Sequence, residues 1–277
     1  MKSRFVTIGK VKIHYIIEGE GSPLLFLHGH RSDSLRFKGV IEKLAEKHQV
    51  FAPDLPGFGK SSQLPAWHSL ENYRKYLLLF IEKIGLTDFV LAGCSMGGSL
   101  AILLAQKIPQ KIKKIVLFGA VYNRSCFKLR RLKRVLTILL LAIFPRNSYL
   151  VFLVNLIIRN DFLFKKFLTQ HFPKEERKKG IVDFEVKQWR TASIKIWAQT
   201  LFSLLTFRLR EEKEIYLPTL LIFSEKDQYI DLEKNISGLK KIFPRSELII
   251  IKGLSHVPKG EITQGLLKKL DWVFAKI

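Results

Sequence analysis

The stretch Phe89-Val90-Leu91-Ala92-Gly93-Cys94-Ser95-Met96-Gly97 decides how this chain folds. Its first four residues are a short apolar run of strand character. From Met96 to Ile108 apolar side chains recur at helical spacing, until Pro109 stops them. A serine therefore stands at a tight strand-to-helix turn between two glycines. Such a turn holds the serine in a strained backbone and pushes its hydroxyl out at the top of the sheet. A Cβ at either flanking position would collide with the neighbouring strand or helix, so both must be glycine. Ser95 is the candidate nucleophile.

A nucleophilic serine needs a base to take its proton and an acid to orient that base. Downstream, Leu217 to Phe223 reads as a buried strand and is followed by Ser224-Glu225-Lys226-Asp227, which sets a carboxylate just past a strand end. Asp227 is the candidate acid, with Asp231 a nearby competitor. Ser246 to Ile251 is a further apolar strand, and Lys252-Gly253-Leu254-Ser255-His256 follows it, presenting an imidazole before the final helix. His256 is the candidate base. The chain order serine, aspartate, histidine at successive strand ends is the order expected of a serine-elbow α/β architecture.

With these residues in place, the sequence resembles the α/β-hydrolase family over nearly its whole length apart from a middle segment. Besides the elbow, the acid and the histidine, Leu24-Leu25-Phe26-Leu27-His28-Gly29-His30 is similar to the family's strand and His-Gly oxyanion loop. Asp54-Leu55-Pro56-Gly57-Phe58-Gly59-Lys60-Ser61 is similar to the loop after its next strand. The resemblance implies an oxyanion hole made of two backbone N–H groups, which map onto Met96 and His30. His28 is expected to brace the oxyanion loop, and the Asp54 loop to be architectural. Ser224 and Ser255 stand where the family often has glycine; neither departure removes a reacting group. The implied activity is hydrolysis of a carboxylic ester through an acyl-enzyme, on a small-molecule substrate and with no cofactor or metal. Acyl transfer, thioester cleavage, carbon–carbon bond hydrolysis and noncatalytic ligand binding on the same fold stay open. A serine at the elbow sets the chain apart from the dehalogenases and epoxide hydrolases, which use aspartate there.

The 277 residues, 47% of them apolar, suffice for one large core and an insertion. The expected fold is an eight-stranded, mostly parallel sheet flanked by helices. Strands are expected near Phe5–Ile8, Val11–Ile17, Leu24–Leu27, Val50–Ala52, Val90–Ala92, Ile115–Phe118, Leu220–Phe223 and Leu248–Ile251, the first two as an edge hairpin. Helices are expected over Ser34–Lys47, Leu70–Ile84, Met96–Ile108, Leu232–Ile242 and Glu261–Ala275. Residues 1–120 and 217–277 would form the catalytic core. From Val121 to Tyr216 the alternation stops, and apolar and basic helical segments replace it, which reads as a helical cap whose apolar underside forms an acyl pocket. Its two apolar stretches, Val135–Phe144 and Tyr149–Ile158, are too short to cross a membrane, which takes about 20 residues. Two cysteines, Cys94 and Cys126, are too few for a disulfide framework. The first residues lack the apolar stretch of a signal peptide, so the expected location is cytoplasmic, with membrane association as the second reading.

The chain carries 47 Lys plus Arg against 24 Asp plus Glu, a net charge of +23. Half of that excess falls between Val121 and Tyr216, where 20 bases meet 8 acids. No nucleic-acid-binding module accompanies the bases, so that partner is excluded. The preferred reading is a surface charge that keeps the chain soluble. The alternative is peripheral contact with anionic lipid through the basic cap. Oligomeric state is not encoded in any pattern of this sequence.

Overall fold

The computed structural model describes residues 1–171, 179–190, 192–209, 213–256 and 264–277. Eight strands form one sheet: β1 (Lys2–Ile8), β2 (Val11–Glu18), β3 (Ser22–Leu27), β4 (His48–Pro53), β5 (Phe89–Cys94), β6 (Ile112–Phe118), β7 (Thr219–Ser224) and β8 (Ser246–Ile251). Their order is β1-β2-β4-β3-β5-β6-β7-β8. β1 pairs antiparallel with β2, and β2 antiparallel with β4; every other pair is parallel. The edge hairpin and all eight strands expected from the sequence are present. Gly9 makes the hairpin turn at φ 58°.

Helices cover both faces, as a parallel sheet requires. In α2 (Leu70–Lys83), Leu70, Tyr73, Leu77, Phe80 and Ile81 are buried at helical spacing, and the Ser69 hydroxyl accepts from Asn72 N–H to cap the first turn. α3 (Met96–Ala105) and α9 (Leu232–Ile242) lie on the same face of the sheet, with Leu100 and Leu239 in one cluster with Leu91 and Leu117. The alternate residues Val90, Ala92 and Val116 turn to the other face. There they meet Ile41 of α1 (Lys38–Leu44), Leu267 of α10 (Gln264–Lys269) and Phe274 of α11 (Asp271–Phe274).

Two helices differ from expectation. The segment after Ser34 begins as a 3₁₀ turn, Leu35–Phe37, and becomes α-helical only from Lys38 to Leu44. Side chains compete for its first N–H groups: Asp33 Oδ1 accepts from Arg36 N–H, and Asp54 Oδ1 from Ser34 N–H. The C-terminal helix, expected as one element, is the two short helices α10 and α11. Glu261 to Thr263, its expected start, lie outside the described residues.

Between β6 and β7 the described residues of the inserted segment include the helices α4 (Arg131–Ile143), α5 (Ser148–Arg159), α6 (Asp161–His171), α7 (Lys179–Trp189) and α8 (Ile194–Thr206). They form apolar clusters of their own: Ile158, Phe164, Val186 and Ile194 in one, Leu141, Ala198 and Leu205 in another. No single helix among the described residues is long and apolar enough to cross a membrane.

Candidate active site

Ser95 sits at φ 52° and ψ −113°, a region that non-glycine residues rarely occupy, between the last residue of β5 and the first of α3. The turn is as tight as its glycines require. A Cβ on Gly93 would lie 2.4 Å from the Gly97 carbonyl oxygen, and one on Gly97 only 2.1 Å from the Leu27 carbonyl oxygen. The strain is held from both ends: Ser95 N–H donates to Phe118 O at 2.7 Å, and Ser95 O accepts from Ser99 N–H at 3.0 Å.

The three residues picked out at strand ends come together. Ser95 Oγ lies 2.9 Å from His256 Nε2, and His256 Nδ1 lies 2.5 Å from Asp227 Oδ2. With Nδ1–H donating to the carboxylate, Nε2 is free to accept the serine proton. The other carboxylate oxygen, Oδ1, accepts from the N–H groups of Tyr229 and Ile230, each at 2.9 Å. Burial alone would raise the Asp227 pKa, but the hydrogen bond and charge of His256 and the two N–H donors outweigh it and hold the carboxyl below its usual range. Asp227 is therefore a fixed anion aimed at the imidazole. Asp231 is not: its carboxylate caps α9 through Lys234 N–H at 3.2 Å. The imidazole is confined by the edge of the Tyr229 ring, centroids 5.7 Å apart, and by Gly119, where a Cβ would lie 3.1 Å from His256 Cε1.

The loop after β3 lies against the elbow, since a Cβ on Gly29 would be 3.5 Å from Ser95 Cβ. His28 fixes it. Its Nδ1–H donates to Gly29 O at 2.8 Å, and its Nε2 accepts from Leu55 N–H at 2.9 Å, which defines a neutral ring; burial lowers its pKa. His30 follows, its Nε2–H donating to Trp197 O of α8 at 3.2 Å; burial and the neighbouring Arg31 charge lower its pKa to about 4. Met96 is fully buried as the first residue of α3, where a backbone N–H has no acceptor within its own helix. The Asp54 loop is architectural, as expected. Asp54 accepts from His14 Nδ1–H and from the N–H groups of Ser34 and Lys60, which take its pKa down to about 2 against the effect of burial. Gly57 and Gly59 turn that loop at positive φ. Cys94, beside Ser95, is buried, and its thiol is pushed up to about 12.

One constellation had no signal in the sequence. Glu185 of α7 is fully buried; its Oε2 accepts from Arg31 Nη2 at 3.1 Å and its Oε1 from Arg36 Nη2 at 2.8 Å. Arg31 also lies over the Trp189 ring and Arg36 over Phe184. Arg31 has a positive φ and directly follows His30. The insertion thus grips the loop beside the elbow from α7 and α8.

The apolar cavity that reaches the imidazole, about 100 Å³, was not the one expected. Phe26, Cys94, Phe118, Ile222 and Leu267 line it with His256, so it belongs to the core rather than to the underside of the insertion.

A family model for the alpha/beta hydrolase fold matches residues 22–260. The chain belongs to the α/β-hydrolase family. Among similar members, Lipase 1 of Psychrobacter immobilis is 27% identical over 247 residues, 87% of this chain and 73% of that protein. Haloalkane dehalogenase 2 of Mycobacterium tuberculosis is 26% identical over 117 residues, 42% of this chain and 41% of that protein. A thermophilic esterase from Thermogutta terrifontis superposes with a TM-score of 0.75 at 18% identity, covering 100% of this chain and 97% of that one. This last likeness is one of fold. In this α/β-hydrolase the residues at the carboxyl ends of β3, β5, β7 and β8 converge, where ligands bind in open parallel sheets.

Buried and half-buried histidines also set an acid limit on stability. His28, His30, His48 and His68 are all lowered by burial, His30 and His68 to about 4. An unfolded imidazole has a pKa near 6.5, so the unfolded chain binds more protons below that pH and stability falls as pH drops from about 6.5 toward 4. His68, 3% exposed and bonded through Nδ1 to the Tyr73 hydroxyl, is expected to cost on the order of 2 kcal/mol over that window. A second loss follows below about pH 3.8 as Asp54 and Asp227 protonate. Denaturant midpoints measured from pH 7 to 4 should fall steadily, with a shallower slope in His68→Gln; a flat profile would contradict neutral burial.

Proposed function

We propose that this chain is a serine hydrolase that cleaves carboxylic esters of apolar acyl groups, with Ser95 as nucleophile, His256 as general base and acid, and Asp227 as orienting anion. The observation that carries the reading is the continuous chain of hydrogen bonds from Ser95 through His256 to Asp227. A lipase spanning most of this chain is a supporting likeness.

As Ser95 Oγ attacks the ester carbonyl, its proton passes to His256 Nε2, and the imidazolium is stabilised by Asp227. The carbonyl oxygen becomes an oxyanion held by the backbone N–H groups of Met96 and His30, each donor contributing about 10²- to 10³-fold in rate. Nε2–H then protonates the leaving alcohol. A water repeats the cycle on the acyl-enzyme, giving a proton to Nε2, and Nε2–H passes that proton to Ser95 Oγ as the acid departs. Residues 121–216 serve as the cap over this site, with Glu185 of α7 and the Trp197 carbonyl of α8 bonded to the oxyanion loop.

The test is labelling of the folded protein by a fluorophosphonate, together with hydrolysis of p-nitrophenyl esters of graded chain length. Stoichiometric labelling and a turnover maximum at one chain length are expected. A folded protein that takes no label and turns over no ester overturns the reading and leaves a ligand-binding fold.

A further inference from the structure

Helix α4 is built with its apolar face outward. Leu132, Val135, Leu136, Leu139, Leu140 and Ile143 recur at helical spacing, and all six are between 46% and 72% exposed. The helix docks on α8 by its other side, through Leu141. α5 repeats the pattern: Tyr149, Phe152, Leu153, Leu156 and Ile157 form an exposed stripe while Ile158 is buried. In α6, Phe162, Leu163 and Phe167 are exposed as well. A surface helix normally turns such a stripe inward, and exposed apolar patches of this extent mark interaction sites.

The charge around these stripes says what covers them. Between residues 121 and 171, which span α4 to α6, there are ten Lys and Arg and one acid, Asp161, which pairs with Arg190. Arg130, Arg131 and Lys133 are exposed at the start of α4, Arg146 between the two helices, and Arg159 at the end of α5. A second copy of the same face would set bases against bases, and a nucleic acid offers nothing to bury leucine side chains. A bilayer with anionic headgroups offers both an apolar interior and phosphate. α4 and α5 are each too short to cross it; only together are they long and apolar enough, and the pair is bent by 97°. Exposed apolar stripes on short helices flanked by bases suit an orientation along the interface.

We propose that the outer faces of α4, α5 and α6 are a docking surface for anionic membranes, the apolar stripes entering the headgroup boundary and the flanking arginines and lysines binding lipid phosphates. The surface is independent of the chemistry at Ser95 and would dock equally well on an inactive protein.

The experiment is co-sedimentation of the full chain with phosphatidylcholine vesicles, with and without about 30% phosphatidylglycerol, at about 0.1 M and about 0.5 M salt. A Leu136→Glu/Leu140→Glu variant is carried alongside. Both leucines are exposed, so the variant should keep its circular dichroism, its melting temperature and its turnover of a soluble short-chain ester. Wild-type protein is expected to pellet with the anionic vesicles. Partition should fall roughly tenfold or more with neutral vesicles, with high salt, and in the variant. Wild-type protein that stays in the supernatant overturns the proposal, as does a variant that pellets equally well. Equal binding to neutral vesicles overturns the assignment to anionic lipid. A lipid-free dimer in sedimentation velocity that the variant dissociates assigns the face to self-association instead.

Discussion

Ser95→Ala is expected to lower kcat/KM for ester hydrolysis by roughly 10⁴- to 10⁶-fold and to abolish fluorophosphonate labelling, while changing folding stability by no more than about 1 kcal/mol. The two halves have separate causes. Activity collapses because the nucleophilic oxygen is lost, and no neighbour can replace it: the Cys94 thiol is buried, its pKa pushed up to about 12, so at neutral pH it supplies almost no thiolate. Stability is nearly unchanged because alanine meets the same strained backbone at φ 52° that serine does, and only the hydrogen bond to His256 disappears. The measurement is steady-state kinetics beside a thermal melt. An alanine variant that keeps more than about a tenth of the activity would remove Ser95 from the reaction.

The elbow was legible because its causes are local. A strand, two glycines and a helix within ten residues leave one steric solution, and the close approaches at Gly93 and Gly97 are that solution. Asp227 and His256 were legible at one remove, since each follows a buried strand whose carboxyl end opens on the same edge. Between Asp227 and Asp231 the sequence left a competition that the structure decides: Asp231 caps α9, and Asp227 meets the imidazole. The insertion's helical character and its two apolar stretches, now in α4 and α5, were legible, but neither the bounds of α6 to α8 nor the orientation of any helix was. An apolar stripe every three or four residues reads the same whether it faces a core or, as in α4, solvent. The buried contact of Glu185 with Arg31 and Arg36 had no signal at all, because its partners stand about 150 residues apart and each is an ordinary charge in its own segment.

That contact underlies the second large effect. Glu185→Ala is expected to destabilise the protein by about 3–5 kcal/mol, far more than a surface ion pair would. Glu185 is fully buried and Arg36 nearly so, and a single carboxylate serves both the Arg36 guanidinium and that of the half-buried Arg31; taking it away removes the anion they share. Glu185→Gln keeps the shape and one acceptor oxygen and should cost less. Activity should follow geometry rather than charge at the reacting atoms. Arg31 is held by Glu185 and directly follows His30, so releasing it loosens the backbone that presents the His30 N–H. A displacement of about 1 Å there can cost on the order of 10²-fold in kcat, with KM changed much less. A purely structural role would lower the fraction of folded enzyme and leave the turnover of each labelled site intact. Titrating active sites with fluorophosphonate before measuring kcat separates the two. Reduced turnover per site in Glu185→Ala, partly restored in Glu185→Gln, makes α7 a positioning element of the oxyanion loop; full turnover per site confines Glu185 to holding the insertion in place.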